Sequence, residues 1–82
     1  MKKIGKISHF YDKIGVAVIT LTGPLSLGDT IKISGNDMEF TQTVTSMQIE
    51  HEQLKKAGKG QEIGLKIDQP VKEGDQVFIV KK

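Results

Sequence analysis

The chain is divided by Gly, Pro, Asn and Asp into short runs whose interiors are rich in Ile, Val, Thr and Phe. β-Branched and aromatic residues favour strands, whereas Gly and Pro interrupt regular structure. One helical turn is expected over Glu52–Ala57, because Gly58 and Gly60 stop anything longer. Six strands are expected, over Ile4–Phe10, Ile14–Thr22, Thr30–Ser34, Glu39–Glu50, Glu62–Asp68 and Gln76–Lys81. The pattern therefore predicts an all-β protein.

The second predicted strand is apolar on both of its faces. Ile14, Val16 and Val18 form one face, and Ala17 and Ile19 lie on the other. Such a strand is expected to be covered on both sides or to bend across a closed barrel. Closure would also remove the exposed strand edges that promote aggregation. The expected fold is a small closed six-stranded antiparallel-type β-barrel, with an open sandwich as the alternative.

Two segments, LSLGDTIKI and VKEGDQVFI, share the pattern apolar-x-x-Gly-Asp-x-apolar-x-Ile. Gly28 and Gly74 can adopt positive φ, and Asp29 and Asp75 can accept hydrogen bonds from nearby backbone N–H groups. Each motif is therefore predicted to be a structural turn that starts a strand. The alternative is that Asp29 and Asp75 form a carboxylate pair for metal binding or acid–base chemistry. Neither motif has the spacing of an EF-hand or a nearby His, which argues against it.

Length and composition exclude several functional classes. The chain has 82 residues, and residues 1–82 are expected to form a single domain. The absence of Cys excludes disulfides and thiolate chemistry. The charge of +2 comes entirely from Lys, and a chain without Arg is poorly suited to sequence-specific base recognition. The sequence contains no apolar stretch long enough to span a membrane and no secretory signal, so a cytoplasmic protein is expected.

The sequence contains no recognisable catalytic constellation, so no enzymatic activity, metal or cofactor is expected. His9 and His51 lack an organised third ligand, which makes them a weak metal signal. The most plausible contact with an anion is formed by Lys55, Lys56 and Lys59 in a Gly-rich segment. A solvated loop is the alternative interpretation of these lysines.

Four segments in order, IGKI, GPLSLGDTIKISG, TVTSMQIEHEQLKKAGKGQEIGLKI and VKEGDQVFIV, resemble the second, β-barrel domain of elongation factor Tu. HFYDKIGVAVITL and FTQTVTSMQIEH resemble small stand-alone translation elongation factor-like proteins. The resemblance implies a translation-factor barrel that contacts RNA or the ribosome. GTP binding is not implied, because the phosphate loop and the guanine motif are missing. In the full elongation factor, acidic and Arg residues line the aminoacyl pocket. The matching positions of this chain fall near Gln48 and His51, where those residue types are absent.

A related barrel in the C-terminal domain of collagenase-like peptidases is also similar to this chain. Two hypotheses follow. The leading one is a non-catalytic barrel that binds RNA or a ribonucleoprotein through Lys55, Lys56 and Lys59. The alternative is a protein-interaction module that docks onto a separately encoded enzyme such as a collagenase-like peptidase. A contiguous Lys surface would favour the first hypothesis, and an exposed apolar patch would favour the second.

Overall fold

The computed structural model describes residues 2–35, 38–49 and 52–80. Within these ranges the chain forms strands and turns and contains no helix, so it has no helix that could cross a membrane. The ten strands are β1 Lys2–Tyr11, β2 Val16–Leu21, β3 Leu25–Ser26, β4 Thr30–Ser34, β5 Glu39–Thr43, β6 Met47–Ile49, β7 Glu52–Leu54, β8 Lys56–Ala57, β9 Glu62–Lys66 and β10 Gln76–Val80. The all-β prediction is confirmed. The sequence also predicts a hairpin turn at Gly35-Asn36-Asp37, of which Asn36 and Asp37 lie outside the described residues.

Eight of the strands form one antiparallel sheet in the order β5-β4-β10-β1-β2-β9-β6-β7, and β3 pairs with β8 in a separate ribbon. The predicted closed six-stranded barrel is not confirmed, because the strand pairing found in the described residues leaves β5 and β7 as edges. Isolated hydrogen bonds connect both edges to the segment between them. The Leu27 N–H donates to the Lys55 carbonyl at 2.8 Å, and the Gly28 N–H donates to the Val44 carbonyl at 2.9 Å. Pro24 and the turn at Gly28 interrupt this segment, so it forms no continuous ladder with either edge.

The core lies on the concave side of the sheet and is built by alternate residues of each strand. Ile7, Ile19 and Ile63 face one another across β1, β2 and β9 and are almost completely buried. The other large core side chains are Ile4, Leu21, Leu25, Ile31, Ile33, Val44, Met47, Leu65 and Val77. Because successive side chains of a strand point to opposite faces, this core leaves the alternate residues of β2 and β9 on the outer face.

Two local predictions are wrong. The predicted helical turn at Glu52–Ala57 is instead β7 and β8, because Glu52–Leu54 pairs with β6 and Lys56–Ala57 pairs with β3. The long strand predicted from Glu39 is divided into β5 and β6. At the break, the Val44 N–H donates to the Asp29 carbonyl at 2.8 Å, so Val44 bonds to the turn rather than continuing the sheet.

Gln42 links two strands that are not neighbours in the sheet. Its side chain points inward from β5 and is only 8% exposed. The Gln42 amide nitrogen donates to the Lys66 carbonyl at 2.8 Å, and its amide oxygen accepts from the Asp68 N–H at 2.9 Å. A single side chain thus satisfies two backbone groups at the end of β9. This bridge holds the β5 edge against the far side of the curled sheet.

Candidate docking surface

The two Gly-Asp motifs form the same hydrogen-bonded turn. In residues 26–29, the Asp29 N–H donates to the Ser26 carbonyl at 3.1 Å, and the Ser26 N–H donates to the Asp29 carboxylate at 2.9 Å. In residues 72–75 the corresponding distances are 3.1 and 2.9 Å, with Lys72 and Asp75 as partners. The third residue of each turn has positive φ, 88° at Gly28 and 93° at Gly74, as a type II turn requires. The turns directly precede β4 and β10.

A third copy of this turn was missed by the sequence reasoning. The Gln61 N–H donates to the Gly58 carbonyl at 3.2 Å, and the Gly58 N–H donates to the Gln61 side-chain oxygen at 2.7 Å. Gly60, with φ of 89°, takes the third position, and β9 follows. Each turn is followed by x-apolar-x-apolar, as in Glu62-Ile63-Gly64-Leu65, and the acceptor after Gly is Asp or Gln. Widening the motif to include Gln would have found this turn.

The lysines of the predicted anion contact are exposed and belong to this region. Lys55 lies between β7 and β8, Lys56 is in β8, and Lys59 is the second residue of the third turn. The Gly-rich segment that carries them forms an ordered turn in which backbone groups of Gly58 bond to Gln61, and the contact of these lysines with an anion stays a prediction.

The described residues do not bring a set of metal ligands together. Among residues 2–35, 38–49 and 52–80, no three His, Asp or Glu side chains converge. The His9 ring nitrogen Nδ1 lies 3.2 Å from the Glu73 carboxylate, and both side chains are exposed. The ring of Tyr11 is tilted against that of His9, with their centroids 4.3 Å apart. His51 lies outside the described residues.

A β-bulge in β1 determines which aromatic side chain faces water. Ser8 is the extra residue: Ile7 pairs with Ile19, and His9 pairs with Val18. The Ser8 hydroxyl donates to the Val18 carbonyl at 3.2 Å. A bulge shifts the inward and outward alternation by one position. Phe10 therefore packs against the core, and Tyr11 points outward with 50% of its surface exposed.

The turn between β1 and β2 places a second apolar side chain on the surface. The N–H groups of Ile14 and Gly15 both donate to the Tyr11 carbonyl, at 3.2 and 2.9 Å. Gly15 has φ of 67°, a conformation that Gly adopts readily. In this turn Ile14 is 64% exposed and lies beside Tyr11 at the end of the hairpin. Two large apolar side chains thus flank the outer face of β2.

Beside them lies a groove of about 560 Å³ on the outer face of the sheet, which we call the β2–β9 groove. Its lining residues are Tyr11, Ile14, Val16, Val18, Gln48, Ile49, Glu62, Ile63 and Gly64. Val18 and Gln48 both pair with Gly64, so the middle of the groove lies over a residue without a side chain. The lining is mostly apolar, with Glu62 as its charged residue. A partner that covers this lining would remove its apolar side chains from water.

The sequence signal for this groove is the apolar outer face of β2. The apolar alternation of Ile14, Val16 and Val18 predicts a strand that is covered on both sides or bends across a closed barrel. The structure shows Val16 and Val18 half-buried and Ile14 exposed. The residues that complete the groove, Gln48 and Gly64, come from β6 and β9 and depend on strand order.

Comparison with curated proteins identifies a relative that is named a protease. The chain is 41% identical over 81 residues to an uncharacterized protease of Methanocaldococcus jannaschii, and the match covers 98% of this chain and 20% of that protein. The chain thus spans about one fifth of the length of the curated relative. No protein-family model matches the chain.

The fold matches that of a peptidase domain. A crystal structure of the C-terminal domain of a Geobacillus thermoleovorans protein classed as a U32 peptidase superposes with a TM-score of 0.91 at 18% identity, covering 98% of this chain and 93% of that domain. Its selenomethionine variant gives a TM-score of 0.89 at 19% identity, covering 94% of this chain and 98% of that domain. The chain therefore has the fold of this C-terminal domain.

These findings correct the translation-factor interpretation. The resemblance to the second domain of elongation factor Tu and to stand-alone elongation factor-like proteins is wrong as an assignment, because the relative of 41% identity is named a protease. The short segments behind that resemblance are mostly turn and strand patterns, such as the Gly-Asp motifs, which a small β protein needs for its backbone. The prediction of RNA binding rested largely on the same resemblance. The comparison agrees better with the alternative hypothesis, a protein-interaction module that docks onto a separately encoded enzyme such as a collagenase-like peptidase, than with RNA binding.

Proposed function

We propose that the chain is a non-catalytic β domain that associates with the catalytic part of a peptidase. The observation that carries this proposal is the 41% identity over nearly the whole chain to one fifth of a protease. The remaining four fifths of that protein, which the chain does not match, have room for a catalytic domain. The fold shared with the C-terminal domain of a U32 peptidase supports an accessory role.

The exposed surface of the domain agrees with association rather than hydrolysis. Hydrolysis of a peptide bond needs a positioned nucleophile or metal, a base and a group that stabilises the oxyanion. The β2–β9 groove instead offers the side chains of Tyr11, Ile14, Val16 and Val18. Removing these apolar side chains from water lowers the free energy and so favours association. An accessory domain of this kind would position, stabilise or regulate the catalytic domain that it contacts.

Association can be tested in trans with the Methanocaldococcus jannaschii relative. The relative is produced without the segment that matches this chain, and its secondary structure is checked by circular dichroism. Sedimentation velocity of the mixture is then compared with that of each component at about 100 µM, a concentration that detects contacts weak enough to depend on covalent linkage. We expect a faster-sedimenting 1:1 complex. Independent sedimentation of the two components would contradict the proposal.

A second measurement tests the non-catalytic assignment. The chain is incubated alone with a fluorescently labelled unstructured protein, and the labelled peptides released are compared with those from buffer. We expect no hydrolysis above the buffer level. Hydrolysis that copurifies with the chain through two different chromatographic steps, and persists in a preparation from a protease-deficient host, would contradict the assignment.

A further inference from the structure

We propose that the β2–β9 groove is the docking surface for the peptidase polypeptide, and that it receives an apolar side chain with a basic side chain beside it. This inference rests on the proposed function and specifies the surface and the chemistry of its partner.

Gly64 is the first observation that points to a ligand. It lies in the middle of β9, between Val18 of β2 and Gln48 of β6, where a side chain would ordinarily stabilise the strand. A Cβ added at Gly64 would lie 3.4 Å from the Val16 side chain and 3.5 Å from the Gln48 side chain, which is ordinary van der Waals contact. Its φ is not positive either. The folded domain therefore leaves room for a side chain here, and the absence of one keeps the middle of the groove open.

The two exposed apolar side chains are the second observation. Ile14 and Tyr11, which are 64% and 50% exposed, supply the most exposed apolar side chains of the groove lining. The chain has few aromatic residues, and its other large exposed apolar residue in the described ranges, Leu27, does not line the groove. A partner that covers these side chains removes apolar surface from water, which favours association.

The charge of the groove indicates the chemistry of the partner. Glu62 lies at one end, where its carboxylate accepts a hydrogen bond from the Thr20 hydroxyl at 3.3 Å. Strand pairing places Tyr11 and Val16 at the opposite end, and Val18 and Gly64 between. A partner that fits both ends has an aliphatic or aromatic side chain over Gly64 and a Lys or Arg near Glu62, because an opposite charge compensates for the desolvation of the carboxylate.

The length of the relative identifies the source of this partner. About four fifths of the Methanocaldococcus jannaschii protease lies outside the segment that this chain matches. Its matching segment is covalently joined to that polypeptide, and linkage raises the effective concentration of any contact between the two parts. A surface groove on the domain is therefore most readily occupied by the remaining polypeptide. A second copy of this chain is the competing occupant.

The absence of Cys allows the groove to be probed at single positions. Ile14→Cys places a thiol at the edge of the groove, and Thr41→Cys places one on the exposed face of β5, away from the groove. The rate of maleimide labelling is measured for each variant alone and with the truncated Methanocaldococcus jannaschii protein. We expect labelling of Ile14→Cys to slow by about tenfold or more and labelling of Thr41→Cys to change by less than about twofold.

Filling the groove supplies the matched functional test. Gly64→Leu puts a side chain into the depression, and Thr41→Leu adds a similar apolar group elsewhere on the outer surface. We expect Gly64→Leu to weaken association by about tenfold or more, while Thr41→Leu changes it by less than about twofold. Both variants are first compared with the wild-type chain by circular dichroism and thermal unfolding, and association is compared only at temperatures at which both are folded.

A chimera keeps the test informative where the truncated protease does not fold. In the chimera this chain replaces the matching segment of the Methanocaldococcus jannaschii protein, and labelling at residues 14 and 41 is compared with that of the chain alone. Protection at residue 14 without protection at residue 41 would again support the inference.

The outcomes separate this inference from the proposed function. Association in trans without protection at residue 14 would overturn the groove assignment and leave the proposed function in place. No association in trans, together with no protection in the chimera, would overturn both. Protection of Ile14→Cys that rises with the concentration of the chain alone would identify a second copy as the occupant and overturn the inference.

Discussion

Gln42 is the polar group whose replacement should cost the domain most. Its amide makes two hydrogen bonds to backbone groups, at 2.8 Å to the Lys66 carbonyl and at 2.9 Å to the Asp68 N–H, and it is 8% exposed. Gln42→Leu keeps a side chain of similar volume and removes both bonds. Each neutral hydrogen bond contributes about 0.5–1.5 kcal/mol, and a buried backbone group left without a partner costs about 1–3 kcal/mol. We expect the free energy of unfolding to fall by about 2–4 kcal/mol, with the upper end applying if neither group reaches water.

Urea unfolding followed by circular dichroism measures this change directly. Gln53→Leu is the matched control, because Gln53 is exposed in β7 and its replacement should change the free energy of unfolding by about 0.5 kcal/mol or less. The midpoint should shift for Gln42→Leu with little change in the m-value, because the folded state still buries a similar area. A shift for Gln42→Leu no larger than that for Gln53→Leu would refute the role of this bridge in holding β5 against the end of β9.

The remaining predictions concern three glycines and one carboxylate, each measured by the same urea unfolding. Gly5→Ala should lower the free energy of unfolding by about 1–3 kcal/mol, because its Cβ would lie 2.7 Å from the Thr20 carbonyl oxygen. Gly64→Ala should leave the free energy of unfolding unchanged or raise it slightly, because its Cβ would make only ordinary contacts. Equal effects of the two substitutions would contradict this contrast. Gly74→Ala should cost about 1–2 kcal/mol through its φ of 93° alone, since its Cβ would meet nothing within 4 Å, and an unchanged midpoint would contradict the turn geometry. Asp75→Ala should cost about 1–2 kcal/mol, because the carboxylate is 9% exposed and accepts from the Lys72 N–H; wild-type stability would show that this bond contributes nothing.

Local chemistry explains why several strands could be predicted from the sequence. A Gly that takes positive φ, followed by an acceptor side chain and an alternating apolar run, specifies both the turn and the face that each strand buries. This pattern precedes β4 and β10, and β4 was predicted with its observed bounds, Thr30–Ser34. The same chemistry with Gln61 in place of Asp precedes β9 and was overlooked, although the strand itself was predicted from Ile63 and Leu65.

Features that depend on distant pairing could not be read from local pattern. Glu52–Ala57 has the composition of a helical turn, yet its backbone groups pair with β6 and β3, and these tertiary contacts override local propensity. Gln42 looks like any polar residue in an alternating strand, because its partners are backbone groups 24 and 26 residues away. The break after Thr43 likewise follows from the bond between Val44 and Asp29.

Only one part of the candidate docking surface, the apolar outer face of β2, could be predicted from the sequence. The apolar outer face of Ile14, Val16 and Val18 predicted a strand covered on both sides, and the inner side is indeed the core. The outer face is open because the strands that border it contribute Gly64 and Gln48 there rather than large apolar groups. The bulge at Ser8, which turns Tyr11 toward this face, depends on the register between β1 and β2 and leaves no clear mark in the sequence.

The central claim, that this domain docks onto the catalytic part of a peptidase, is tested most directly by nuclear magnetic resonance. The chain of 9.0 kDa is small enough for complete assignment of its backbone amides. The truncated Methanocaldococcus jannaschii protein is titrated into the isotopically labelled chain up to about 200 µM, which reaches the weak affinities that covalent linkage compensates. We predict saturable shifts or broadening of amide signals, concentrated at Ile14, Val16, Val18 and Gly64. A spectrum that stays unchanged across the titration, with a truncated protein shown to be folded, would contradict the account.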